Sequence, residues 1–173
     1  MISQDVNLLN SNAFYELVKN VNDKVVYVYG KQICKKKTIE YYIRKKNYGN
    51  NTEFVGAKDI DSLQLKAFFA SDAFSAYYRP VFIKLNGYDN NHMMMNEDMY
   101  YAKKILEAGY QKGYIATAVV EHSHKFKLRQ LYKRYYQTGI WFKQHPEFDN
   151  YKTTDTGMKL ALYVLGQAVK HFN

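Results

Sequence analysis

Hydrophobic and polar positions along this chain follow two rhythms, and the changes between them mark the elements. Val25, Val26 and Val28 make Lys24 to Tyr29 a β-branched strand, with Gly30 expected to end it. Tyr114 to Ala116 and Ala118 to His122 read as two more short strands. Phe14 to Val21 reads as a short helix, and Pro80 with Gly87 brackets a second over Val81 to Asn86. Leu128, Leu131, Tyr132, Tyr135, Tyr136 and Gly139 recur at i, i+3, i+4, i+7, i+8 and i+11. This predicts an amphipathic helix with that stripe inward, stopped by Pro146. A last helix is predicted from Gly157 to Phe172. Residues 31–58 are basic and rich in Asn and Tyr, with Gly49-Asn50-Asn51 as a loop signal and no element assigned. Strands interleaved with helices make the class α/β.

The sharpest local pattern is Asn96-Glu97-Asp98, between the run Met93 to Met95 and a helix whose apolar positions Ala102, Ile105 and Leu106 precede Gly109. Asn96 is placed to cap that helix and Gly109 to stop it. Neighbouring side chains on a helix diverge by about 100°, so one carboxylate can do chemistry while the other positions a partner. A pair of acids also simply favours a helix N-terminus, whose dipole holds a carboxyl pKa down. On that reasoning Asp98 is ionised at neutral pH and intrinsically a weak base.

Composition narrows the classes. A chain of 173 residues is about one domain, and an apolar fraction of 47% is enough for a core. Cys34 is the single cysteine, so no intrachain disulfide forms and a reducing compartment is expected. The first residues have no signal-peptide pattern, and no apolar run approaches the length of a membrane span. A cytoplasmic protein is therefore expected. The 25 basic against 16 acidic residues give +9, which suits phosphates, nucleotides or a lipid headgroup surface.

The motif order adds a resemblance. Phe68-Phe69-Ala70-Ser71-Asp72 leads through Ala76-Tyr77-Tyr78-Arg79 and Asn86-Gly87-Tyr88-Asp89 to Met95-Asn96-Glu97-Asp98-Met99. Then come Ala108-Gly109-Tyr110 and the segment Ala118 to His124. Val28-Tyr29-Gly30-Lys31-Gln32 and Ser3-Gln4-Asp5 lie upstream. Together these resemble the family 2 glycosyltransferases, inverting enzymes of the GT-A fold, and more closely their rhamnosyltransferase-like branch. The resemblance implies the C-terminal portion of a GT-A domain, its acceptor and metal-site half over 1–125, followed by amphipathic helices over 126–173. The Rossmann-like half that holds the donor's base is not visible, so the chain is expected to be a fragment or to need a partner chain.

The same resemblance implies roles. Asp98 is the general base that takes the acceptor hydroxyl's proton, and Glu97 orients the acceptor. Asp5 and His122 hold Mg²⁺ or Mn²⁺ against the donor diphosphate. Asn7 stands where the usual Asp-x-Asp carries its second carboxylate, which weakens the expected metal site. Ser71, Asp72 and Arg79 approach the donor phosphates and acceptor, and Arg129 brings a cation to the diphosphate or to an anionic lipid-linked acceptor. Implied partners are a nucleotide-sugar donor, dTDP-rhamnose or a UDP-sugar, and a glycan or lipid-linked acceptor, with peripheral membrane contact and no nucleic acid. A non-catalytic basic binding module or a membrane-surface accessory is the competing reading. No recognition-motif, zinc or helix-turn-helix pattern supports nucleic-acid binding.

Overall fold

A computed structural model describes residues 1–35, 38–89, 93, 95–124, 126, 128–152, 163 and 166. The described elements are β1 (Val6–Leu8), α1 (Ala13–Val18), β2 (Val25–Ile33), α2 (Ile39–Asn47), β3 (Glu53–Val55), α3 (Ile60–Leu63), β4 (Ser75–Tyr77), α4 (Arg79–Lys84), α5 (Glu97–Glu107), β5 (Gln111–His122) and α6 (Leu128–Gln144). Short 3₁₀ turns flank α3, and another follows α6 at Pro146–Phe148. The mixed α/β class is as expected.

The sheet runs β1-β5-β2-β4. The β2 and β5 strands are parallel, and every other pairing is antiparallel. One edge of β5 lies along β2, while its other edge is divided between β3 near Lys112 to Tyr114 and β1 near Val120 to His122. The two sheet faces carry separate cores. One joins Tyr27, Tyr29, Phe68, Tyr101, Ile105, Leu106, Trp141 and Phe148, and the other joins Ala13, Leu17, Val28, Phe74, Ile115 and Val120.

The structure differs from the sequence reading in several places. Gly30 sits inside β2 rather than at its end, because the strand needs a missing side chain there. A Cβ would lie 2.5 Å from the Ala118 carbonyl oxygen and 2.5 Å from the Phe74 ring. The two short strands at 114–122 are one strand of 12 residues, held together by β2 through a register shift after Gly30. The α1 helix stops at Val18, and α2 and β3 fill a region given no element. Thr38 caps α2 by accepting from the Tyr41 N–H at 3.4 Å, and Glu40 pairs with Arg44 one turn on. On α6, Tyr132, Tyr135 and Tyr136 face solvent, while Trp141 is buried in the core and Phe142 packs against it. The helix predicted at 157–172 lies outside the described residues except for Tyr163 and Gly166, both helical. No helix among the described residues is long and apolar enough to cross a membrane.

Candidate active site

The α5 helix carries the acid pair and ends as the sequence predicts. Gly109 takes φ +85°, its N–H reaches the Leu106 carbonyl, and the Tyr110 N–H reaches back to Ile105, both at 3.0 Å. This is the paired stop that a left-handed glycine permits. The start is built differently from expectation. Asn96 is left-handed, with φ 59°, and makes no side-chain cap. The Asp98 carboxylate instead accepts from the Met99 N–H at 2.7 Å.

Asp98 is partly buried, and its pKa is raised to about 7, first by loss of water and then by the charges of Asp72 and Glu97. The expectation of a depressed value is therefore wrong here. Desolvation and two like charges outweigh the helix dipole, which falls off within a turn. The backbone N–H of Asp72 also donates to Asp98, so the loop bearing Ser71 and Asp72 meets the start of α5.

Tyrosine hydroxyls surround Asp72. Tyr27 donates to it at 2.8 Å and Tyr88 at 2.7 Å, Tyr77 donates as well, and the Ser75 hydroxyl adds a contact at 3.1 Å. A carboxylate with this many donors is fixed in place. Its tyrosines come from β2, β4 and the turn after α4, so no local pattern announces the cage. Glu97 begins α5 and acts on Asp98 and Tyr88 through its charge. Arg79 is exposed at the first turn of α4, and Arg129 is exposed on α6. Neither is joined to Asp98 by a contact among the described residues.

A second cluster forms where β1 meets the end of β5. Val6 pairs with His122, which brings Asp5 to the strand end. Asp5 Oδ1 lies 3.1 Å from His122 Nε2, and Asp5 Oδ2 lies 3.2 Å from His124 Nδ1. One ligand atom from each of the three residues falls within 4.8 Å of the others. His124 thus joins the two residues expected from sequence, although β5 ends at His122.

The shorter of two contacts selects the His122 tautomer, since Nδ1 lies 2.9 Å from Gln32 Oε1 and 3.4 Å from the Arg44 guanidinium. Gln32 Nε2 donates to Ser71 Oγ at 2.7 Å, while Arg44 donates to Gln32 Oε1. Gln32 Oε1 is therefore an acceptor, and His122 Nδ1, 2.9 Å away, donates to it. In neutral His122 the bare Nε2 then faces the Asp5 carboxylate, two acceptors that need a proton or a cation between them. Burial, then the nearby Arg44, lowers the His122 pKa. Behind the cluster, Gln32 ends the segment Val28 to Gln32 noted in the sequence, whereas Arg44 and Glu40 carry no motif and show only their i, i+4 spacing. Glu40 also accepts from the His124 N–H at 2.6 Å.

A loop carboxylate thus lies beside a helix-start carboxylate, and a carboxylate–imidazole cluster is joined to that loop through Gln32 and Ser71. The chain is 36% identical over 148 residues to the O-antigen chain rhamnosyltransferase WbaN of Salmonella anatum. It is 35% identical over 148 residues to the O-antigen chain rhamnosyltransferase RfbN of Salmonella typhimurium. Each match takes in 84% of this chain and 47% of the relative, so the chain spans about half the length of the curated relatives it matches. No family model matches the chain. The resemblance to rhamnosyltransferase-like glycosyltransferases read from the motifs is borne out by these relatives.

Proposed function

We propose that the complete protein is an inverting glycosyltransferase of the GT-A type. It moves rhamnose or a related hexose from a nucleotide-sugar donor, dTDP-rhamnose or a UDP-sugar, to a glycan or lipid-linked acceptor. This chain supplies the acceptor and metal-site half over 1–125 and the helices over 126–173. The observation that carries the reading is Asp98, a partly buried carboxyl with its pKa raised to about 7, in a chain similar to named rhamnosyltransferases. A base whose pKa lies near the working pH combines a usable ionised fraction with real proton affinity.

In this mechanism Asp98 takes the acceptor hydroxyl's proton as that oxygen attacks the anomeric carbon. The bond from that carbon to the diphosphate breaks on the opposite face, which inverts the centre. Glu97 orients the acceptor and sustains the Asp98 pKa by its charge. Ser71 and Asp72 position the loop against Asp98, and Arg79 and Arg129 offer cations to the phosphates of donor or acceptor. Asp5, His122 and His124 fit a divalent cation, because the bare His122 Nε2 and the Asp5 carboxylate are both acceptors. One oxygen and two nitrogens suit Mn²⁺ better than Mg²⁺, which prefers an all-oxygen set. Such an ion, when bound, neutralises the departing diphosphate. The exposed Tyr132, Tyr135 and Tyr136 beside Arg129, Lys133 and Arg134 support a peripheral contact with the inner face of a membrane.

Asp98→Asn in the complete enzyme tests this reading. Turnover should fall about 10²- to 10⁴-fold, while the donor dissociation constant stays within about twofold. Turnover retained within about threefold would remove Asp98 as the base.

A further inference from the structure

The proposed reaction leaves unused a cavity of about 560 Å³ beside the start of α5. Tyr29, Phe69 and Tyr114 line it together with Met99, Glu53 and Lys112. The Tyr29 ring lies 5.5 Å from Tyr114 and 6.0 Å from Phe69, which stands nearly perpendicular to it, so the three rings make an aromatic corner. Lys112 is 2% exposed, an unusual place for an amine. It donates to the Phe69 carbonyl and lies 5.3 Å from the centre of the Tyr29 ring. An amine has three N–H positions when protonated, and Phe69 uses one.

An aromatic corner with a few convergent polar groups is the make-up of a small-molecule site, and the volume is in the usual range. Its contents select the ligand class. A hydrocarbon chain would leave the remaining N–H positions of the buried Lys112 amine without partners. Glu53, Lys46 and Lys66 are exposed at the rim of the cavity and Lys112 is buried inside it, so a small anion drawn to the lysines is the competing occupant, which the phosphate arm of the test detects. A sugar ring has an apolar C–H face and a hydroxyl edge, which matches both parts of the lining. The place also fits an acceptor, since Met99 adjoins Asp98 in the chain and the charge of Asp98 is felt at both Lys112 and Tyr29.

We propose that this cavity holds a pyranose ring of the acceptor glycan, its C–H groups on Tyr29, Phe69 and Tyr114 and its hydroxyls on Lys112 and Glu53. The assignment of that sugar as acceptor rests on the transferase reading.

The test uses this chain with ¹³C-methyl methionine, titrated separately with methyl α-L-rhamnoside, methyl α-D-mannoside, methyl β-D-galactoside and inorganic phosphate. At least one glycoside should shift the Met99 methyl signal saturably at millimolar concentration, with phosphate neither shifting it nor competing. Lys112→Met, checked for folding by circular dichroism, should weaken that binding at least tenfold. The rim-side variant Glu53→Gln should weaken it at least threefold, which keeps the test informative if Lys112→Met unfolds. No shift with any glycoside, or a shift with phosphate that glycosides do not produce, overturns the proposal. In the complete enzyme, an acceptor KM unchanged by Glu53→Gln and Lys112→Met, with turnover abolished by Asp98→Asn, rejects the cavity and keeps the transferase. Glycoside binding in the cavity of a complete protein that transfers no sugar rejects the acceptor role instead.

Discussion

Asp98 shows how far a single residue can be read from its neighbours in sequence. Its position at a helix start is local and was legible, as were Glu97 beside it and Gly109 at the other end. Its protonation was not, because the groups that set it come from Asp72 and from burial that no spacing reveals. The folded-state pKa, about 7, lies above the ordinary 3.8. Between those values the folded state holds a proton that the unfolded state has lost, so stability falls as pH rises through this window. The gap amounts to at most about 4 kcal/mol, and partial exposure reduces it. Asp98→Asn should therefore unfold at a higher temperature than the parent at pH 8, with the difference shrinking toward pH 4. Thermal scans at the two pH values check this. An equal difference at both would mean that ionisation of Asp98 is not the source. The variant gains stability where it loses turnover, the trade expected when a site holds a charge against its preference.

At the scale of elements, periodicity recovered α5, α4 and the first half of β2 because each forms its pattern from consecutive residues. It failed where the decisive contact is remote. The β5 strand reads as two pieces because its continuity depends on β2, and Gly30 reads as an end because the ring of Phe74 that occupies its side-chain space is 44 positions away. The exposed aromatic face of α6 has a helical period without a buried partner, and periodicity alone cannot tell the two apart. Two glycines separate these causes experimentally. Gly30→Ala puts a methyl group against a carbonyl and a packed ring, so it should cost about 3 kcal/mol or more. Gly109→Ala meets nothing within 4 Å and faces only the strain of positive φ, about 1 kcal/mol. Urea unfolding of the two variants measures both. Equal losses would show that crowding in β2 relaxes.

At the scale of the whole molecule, the motif order identified the kind of protein while the chain spans 47% of its curated relatives. More than half of each relative's length has no counterpart in this chain. Titration calorimetry of this chain with dTDP-rhamnose, UDP-glucose and GDP-mannose in Mn²⁺ should give no dissociation constant tighter than about millimolar, roughly −4 kcal/mol. A micromolar value for any of them would show that the chain holds the donor unaided. The tyrosine cage around Asp72 has a further consequence, in alkali. Burial and the Asp72 charge push the hydroxyls of Tyr27, Tyr77 and Tyr88 well above their ordinary range, so none of them ionises while the sheet is intact. Once the pH passes the ordinary tyrosine value, the unfolded chain releases protons that the folded one retains, and stability falls. The phenols then ionise together as the structure opens, and phenolate absorbance becomes a built-in gauge of unfolding rather than a titration of single groups.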